Sequence, residues 1–337
     1  MTDYVTERSD LSVLVRGSGV ATYCSALLLE RAGVAVTLEE AGRSRVPAIM
    51  IGEATQALVK DVFARQDLFD GLHRITHRVV AWGTGAEART LPHSAVVVSE
   101  EQLGERLRPR LRSTASPPTW TIFGSPPLPQ ATVQRHFGSR TALAVAVRLK
   151  DGADGSSCWI EAVEDGWLFL VPNSAAEGWL LSVGRTPRTL LESSRLIAAQ
   201  IASVSGAPGG EFAAHPRMAD PICDAGWLAC GTAAMAFDPI CGDGTGNAVR
   251  EAILAAAVVR AGGDASMLDH YRKRLIAGFC RHLEQCRQFY GGGHTGDWWR
   301  GELDQIHTGI LWCQSQLGTD RQFRYQLRGF ELEPAVF

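Results

Sequence analysis

A strand that turns into a helix through Gly17-Ser18-Gly19 constrains this chain more than any other feature. Leu11 to Val15 is a short apolar run that reads as a buried parallel strand. Ala21 to Arg31 carries the small and apolar residues of a tightly packed helix, and Gly33 closes it. Val34 to Leu38 reads as a second buried strand, ending on Glu39 and Glu40. In such a strand-helix-strand unit one glycine permits the tight turn. The next lets the backbone approach a pyrophosphate, which settles on the positive end of the helix. The expected contacts are the backbones of Gly17, Gly19, Val20 and Ala21, with Thr22 where the pattern has its third glycine. Glu40, roughly 20 residues further on, is placed to accept the ribose hydroxyls, with Glu39 as the alternate.

Length and composition narrow the class. The chain has 337 residues, 45% hydrophobic and 20% charged, which suits one large enzyme of two lobes, or two to three units sharing one core. A net charge of −3 gives no general affinity for nucleic acid or a membrane surface. Arg106, Arg108, Arg110 and Arg112 form the local exception, read as a solvated helix face or as a phosphate or acidic contact. No run approaches the roughly 20 apolar residues that a membrane span needs. The eight cysteines include no Cys-x-x-Cys pair, and Met1 to Asp10 lacks an apolar signal core, so reduced thiols in the cytoplasm are expected. His73 and His77 are one helical turn apart with no third ligand evident, so no metal is expected.

Further along, Ala54 to Ala64 and Glu101 to Arg112 read as helices, and Val79 to Trp82 and Ala95 to Val98 as strands. Ser113 to Gln130, rich in Pro, Ser and Thr, reads as irregular. Strands at 142–149, 157–163, 167–171 and 179–183 predict an antiparallel sheet with hairpins at Asp151-Gly152 and Asp165-Gly166. Thr189 to Ser205 reads as a helix, Trp227 to Cys230 as a strand, and Asn247 to Ala261 as a helix. Residues 266–337 read as mostly helical with a break at Gly291-Gly292-Gly293. Trp298-Trp299 after that break is read either as an exposed patch or as core.

The stretch from Gly231 to Asn247, GTAAMAFDPICGDGTGN, is a second glycine loop running into a helix. It resembles the GDAA…P…G-x-G box of aromatic-hydroxylase flavoproteins and flavin-dependent halogenases, with Thr232 where that box has an acid. Val46 to Thr55, VPAIMIGEAT, resembles the G-E-A-T segment of tryptophan halogenases. Two halogenase hallmarks are absent. The W-x-W-x-I-P box appears only as Trp167 to Pro172, WLFLVP, and the stretch His73 to Arg78 offers no lysine to carry activated halogen. The chain is therefore most similar to the halogenase-like monooxygenases that mature tryptophylquinone cofactors, such as that of quinohaemoprotein amine dehydrogenase.

The resemblance implies an α/β fold. A Rossmann-type FAD-binding domain of the aromatic-hydroxylase kind (1–98 and 215–265) joins an antiparallel β-sheet substrate domain (99–214) and a C-terminal helical region (266–337). It implies FAD contacts at Gly17, Gly19, Val20, Ala21, Thr22, Glu40, Arg45, Thr232, Pro239, Gly242, Gly244, Thr245, Gly246 and Asn247. Reduced FAD and O2 would supply an electrophilic oxygen to a tryptophan ring in a partner polypeptide, with an external reductant. Glu53 is the candidate base or positioning group, or else a carboxylate favoured by a helix N-terminus. Asp238 is a second candidate, or a turn former. The competing expectations are a hydroxylase or halogenase of a small aromatic, and a non-catalytic flavoprotein assembly factor.

Overall fold

The computed structural model describes residues 11–42, 45–111, 117–318 and 323–335; Met1 to Asp10 and Arg112 lie outside them. The chain opens as β1 (Ser12–Arg16), α1 (Val20–Arg31) and β2 (Ala35–Glu39), with β1 and β2 parallel. β3 (Ile49–Gly52), α2 (Glu53–Phe63), β4 (His73–Ala81), β5 (Arg89–Val98) and α3 (Glu100–Leu107) follow. Next come β6 (Trp120–Phe123), β7 (Val133–His136), β8 (Thr141–Leu149), β9 (Ser157–Val163), β10 (Gly166–Pro172) and β11 (Glu177–Val183). α4 (Pro187–Ser193) leads to β12 (Ile201–Ala213), β13 (Arg217–Asp220), β14 (Cys223–Asp224), β15 (Trp227–Ala229) and β16 (Met235–Ala236). The chain closes with α5 (Gly244–Arg260), α6 (Ala265–Gly291), α7 (Asp297–Leu317) and the hairpin of β17 (Tyr325–Arg328) and β18 (Glu331–Pro334).

Two large sheets organise these elements. One has the order β14-β15-β6-β1-β2, and α1 and α5 pack against each other beside it. Val13, Val15 and Ile122 fill its buried centre. Parallel strands buried on both faces need only short apolar runs. That explains β6, which sits inside the stretch expected to be irregular. Its four residues WTIF are hidden among prolines and serines, yet they pair in parallel with β1 and β15.

The other sheet has the order β12-β8-β11-β10-β9-β4-β5-β3. Strands from residues 49–98 and from 141–213 share it, so the expected boundary at 98 falls inside one sheet. His73 and His77 lie on β4 rather than on a helix. Asp165-Gly166 does turn β9 into β10. Asp151-Gly152 makes no hairpin, because β8 pairs with β11 and β12 while β9 pairs with β10 and β4. Residues 150–156 instead cross over, held by Asp154, which accepts from the Ser156 amide and the Ser156 and Ser157 hydroxyls.

Two helices stop earlier than expected. α3 ends at Leu107, two residues before Pro109, whose ring disfavours helical backbone at Arg108. α4 ends at Ser193 because the buried Glu161 carboxylate accepts the amides of Arg195, Leu196 and Ile197 at 2.8–3.0 Å, in place of helical carbonyls. The chain turns through residues 194–200 and enters the edge strand β12, so the last five residues of the expected 189–205 helix are strand. In the C-terminal region the glycine break separates α6 from α7 as expected, but the last described residues form the β17–β18 hairpin. Trp299 is core: its indole N–H donates to the Val163 carbonyl at 2.9 Å. Trp298 packs edge-on against it at 5.0 Å. Among the described residues, no helix is long and apolar enough to cross a membrane.

Candidate dinucleotide and flavin site

β1 and β15 both run parallel to β6, so their C-terminal ends meet at the same sheet edge. That edge is where doubly wound sheets bind nucleotides. Gly17 and Gly19 have φ of +124° and +97°, values suited to glycine. A Cβ on Gly17 would lie 2.6 Å from the amide nitrogen and hydroxyl of Ser125. The Gly17 amide donates to the Glu39 carbonyl at 2.9 Å, and the Ser18 amide to the Ser125 hydroxyl at 3.2 Å. No side chain caps α1, and its first turn has no acid. Its positive end is thus left for an anion.

Thr22 is fully buried, in the place of the third glycine. The close helix–strand approach survives because Gly124, at the end of β6, faces it: a Cβ on Gly124 would run into the Thr22 hydroxyl. Among the described residues, that hydroxyl has no hydrogen-bond partner.

Beside this turn is a pocket of about 220 Å³ lined by Ser18, Gly19, Tyr23, Glu40, Arg45 and Arg108, among others. Glu40 accepts from the Tyr23 hydroxyl at 2.7 Å and pairs with Arg108. Burial and the Glu40 carboxylate push the Tyr23 phenol up to about 12, so it stays a donor. Glu39 pairs instead with Arg16 at 2.8 Å and does not line the pocket. Arg45 is held by Glu101 at 2.6 Å. Arg108, in the basic stretch of the sequence, reaches this pocket as an acid partner.

The late loop closes over the same edge. Gly231, at φ +57°, brings its backbone against α1, where a Cβ would lie 2.6 Å from that of Ala21. Its amide donates to Glu251 at 2.7 Å, and burial raises the Glu251 carboxyl to about 8. The Thr232 hydroxyl donates to the Gly124 carbonyl at 3.4 Å. Asp238 begins a 3-10 turn, Pro239–Cys241, by accepting the Ile240 amide at 2.9 Å. Gly242 then turns the chain at φ +67°.

At the start of α5, Thr55 donates to Asp243 at 2.6 Å, and Arg250 binds the other Asp243 oxygen at 2.8 Å. A Cβ on Gly246 would lie 2.6 Å from the Thr55 hydroxyl. Gly244, Thr245, Gly246 and Asn247 form the first turn of α5, which has neither an acid nor a side-chain cap. The structure thus brings the Gly52-Glu53-Ala54-Thr55 segment against the late loop. Glu53 is exposed at the N-terminus of α2. Asp238 is not placed beside it in the open. Its carboxylate is 0% exposed, bound by Arg140 and by the Tyr290 hydroxyl at 2.9 Å.

Several side chains of this region have no local signal in the sequence. Arg140 joins Asp238 and Glu302 across 98 and 162 residues of chain. Cys241, His282 and Cys286 gather behind the late loop. Only the folded chain shows these clusters.

The residues present fit a dinucleotide with a second ring system. Two uncapped helix N-termini, glycines at each close approach, and an acid–phenol–guanidinium pocket stand at one sheet edge. No protein-family model and no curated protein matches the chain. Solved structures do. The peptidyl tryptophan dihydroxylase QhpG, described as essential for tryptophylquinone cofactor biogenesis, aligns over 97% of this chain and 86% of its own, with TM-score 0.69 and 16% identity. The flavin-dependent halogenase CmlS aligns over 92% of this chain and 71% of its own, with TM-score 0.72 and 17% identity. The 2,6-dihydroxypyridine-3-hydroxylase of Arthrobacter nicotinovorans aligns over 86% of this chain and 95% of its own, with TM-score 0.63 and 14% identity. The fold of this chain is therefore that of the flavin-dependent halogenases and aromatic hydroxylases.

Proposed function

We propose that the chain is an FAD-dependent monooxygenase that hydroxylates a tryptophan ring in a partner polypeptide, on the way to a tryptophylquinone. The carrying observation is the pair of glycine-lined, uncapped helix N-termini at one sheet edge, in a fold shared over nearly the whole chain with a peptidyl tryptophan dihydroxylase. When bound and reduced by an external donor, FAD would supply electrophilic oxygen from O2.

The chain's own residues do the rest. The amides from Gly19 to Ala21 would hold the pyrophosphate. Glu40, fixed by Tyr23 and Arg108, accepts ribose hydroxyls. The first turn of α5, from Gly244 to Asn247, offers a helix dipole that would favour negative charge on a bound flavin. Thr55 and Asp243 tie that turn to α2, and Asp238 with Arg140 fixes the loop that carries Pro239. Glu53, exposed on the same segment as Thr55, takes the ring proton from the substrate.

The test is to incubate the FAD-loaded, reduced protein with O2 and a precursor polypeptide, then weigh the peptide. Gain of one or two oxygens on tryptophan supports the proposal. Oxygen or halogen gained only on a free aromatic overturns it in favour of a small-molecule enzyme.

A further inference from the structure

Behind the late loop lie three reactive side chains that the nucleotide site does not use. Cys241 ends the 3-10 turn, and His282 and Cys286 stand one helical turn apart on α6. Their ligand atoms all fall within 4.8 Å of one another. The Cys241 and Cys286 sulfurs are 3.7 Å apart, and Cys286 Sγ is 3.3 Å from His282 Nε2.

Two thiols and an imidazole suggest a soft cation, but the imidazole is spoken for. The buried Asp238 amide donates to His282 Nε2 at 2.8 Å. A metal on that nitrogen would take its only lone pair and leave the amide without a partner. The sulfurs remain. We propose that Cys241 and Cys286 form a redox pair that closes to a disulfide under hydrogen peroxide, fastening the flavin loop to α6.

The two thiols differ as an attacking and a resolving cysteine should. Cys241 is partly exposed, whereas Cys286 is wholly buried. The hydrogen bond from the Cys286 thiol pulls Cys241 down, against burial and the Asp238 charge. Burial pushes Cys286 well up. A thiolate attacks peroxide where a thiol does not. The sulfurs must close by about 1.7 Å to reach disulfide length. Gly242 follows Cys241 with a positive φ and open space around it, which gives the turn freedom to rotate.

The chemistry balances in two steps. The Cys241 thiolate attacks one peroxide oxygen: the S–O bond forms, the O–O bond breaks, and hydroxide leaves. The Cys286 sulfur then attacks Cys241, the S–S bond forms, the S–O bond breaks, and water leaves with the thiol proton. Two thiols and one peroxide become one disulfide and two waters. A flavin site that reduces O2 without oxygenating substrate releases peroxide beside this loop, so the physiological source rests on the proposed function, whereas the disulfide does not.

The experiment adds hydrogen peroxide to the FAD-loaded protein, alkylates remaining thiols under denaturing conditions, and maps the peptides by mass. The expected product is a single cross-link joining the Cys241 and Cys286 peptides, lighter by two hydrogens and reversed by dithiothreitol. In Cys286→Ser, Cys241 should accumulate as a dimedone-trapped sulfenic acid. Before oxidation, Cys241 should alkylate at least about tenfold faster than the buried Cys24 and Cys230. Any of three results overturns the proposal: Cys241 still alkylatable after peroxide, Cys241 driven to sulfinic acid in the unaltered protein without a cross-link, or zinc protecting both thiols in a manner lost in His282→Ala. Peroxide is supplied directly, so failure here is separate from failure to hydroxylate tryptophan.

Discussion

Arg140 Nε donates to Asp238 Oδ2 at 2.7 Å, and neither side chain is exposed to water. The guanidinium also pairs with Glu302 and lies 4.4 Å from the centre of the Tyr290 ring. Burial works against its charge, but Tyr290, Asp238 and Glu302 overcome that and raise its pKa. Removing one partner of such a cluster leaves the others as buried, unpaired charge. Arg140→Met is expected to cost about 3–5 kcal/mol of stability, measured by urea unfolding. Asp238→Asn is expected to lower stability as well. A folded Asp238→Asn protein of unchanged stability but no turnover would instead make Asp238 a catalytic base.

Gly17→Ala meets two obstacles at once, a positive φ and the Ser125 amide at 2.6 Å. The combined strain is expected to be on the order of 1–3 kcal/mol. Because it falls at the pyrophosphate turn, FAD affinity should drop at least about tenfold by titration calorimetry. Unchanged affinity would show that the turn does not hold the cofactor.

Thr55→Val removes the hydrogen bond to Asp243 while keeping the shape of the side chain. Arg250 still holds Asp243. The loss is expected to be about 1 kcal/mol, seen as a roughly fivefold faster release of FAD in stopped-flow fluorescence. A release rate equal to that of the unaltered protein would unlink α2 from the late loop.

Glu251 gives stability a pH dependence of defined sign. Its folded carboxyl is raised from 4.5 to about 8, so the folded state holds a proton that the unfolded chain has lost. Stability from this group is therefore fully present below about 4.5 and declines as pH rises toward 8, then levels. The slope is at most about 1.4 kcal/mol per pH unit. Glu251→Gln keeps an acceptor for the Gly231 amide without the charge, and should flatten the decline in urea midpoints between pH 5 and 8. A slope equal to that of the unaltered protein would locate the pH dependence elsewhere.

The backbone geometry at this sheet edge is legible because its signals are local. Gly17, Gly19 and the Gly231–Asn247 loop each declare a backbone geometry within a few residues. The halogenase-like fold followed from joining them to Thr55. What the sequence does not show depends on distant partners. β6 has four residues and no alternation, so only its neighbours β1 and β15 define it. The 189–205 helix was lost to Glu161, a carboxylate on another strand. Thr22 departs from the glycine pattern, and the glycine that compensates for it, Gly124, stands on a different element. Arg140, His282 and Cys286 carry no motif, since their meaning lies in what they touch.

The order β14-β15-β6-β1-β2 has a consequence for how the chain is made. As the protein leaves the ribosome, β1 can pair with β2 almost at once. Its other edge stays open until Trp120 to Phe123 emerges, and β6 in turn waits for Trp227 to Ala229. The turn between β1 and α1 is therefore completed only late in synthesis. Contacts so far apart in sequence make for slow closure and a long exposure of apolar strand edges. The turn after β1 gains its neighbours on β6 and β15 only when the chain through Ala229 is already present.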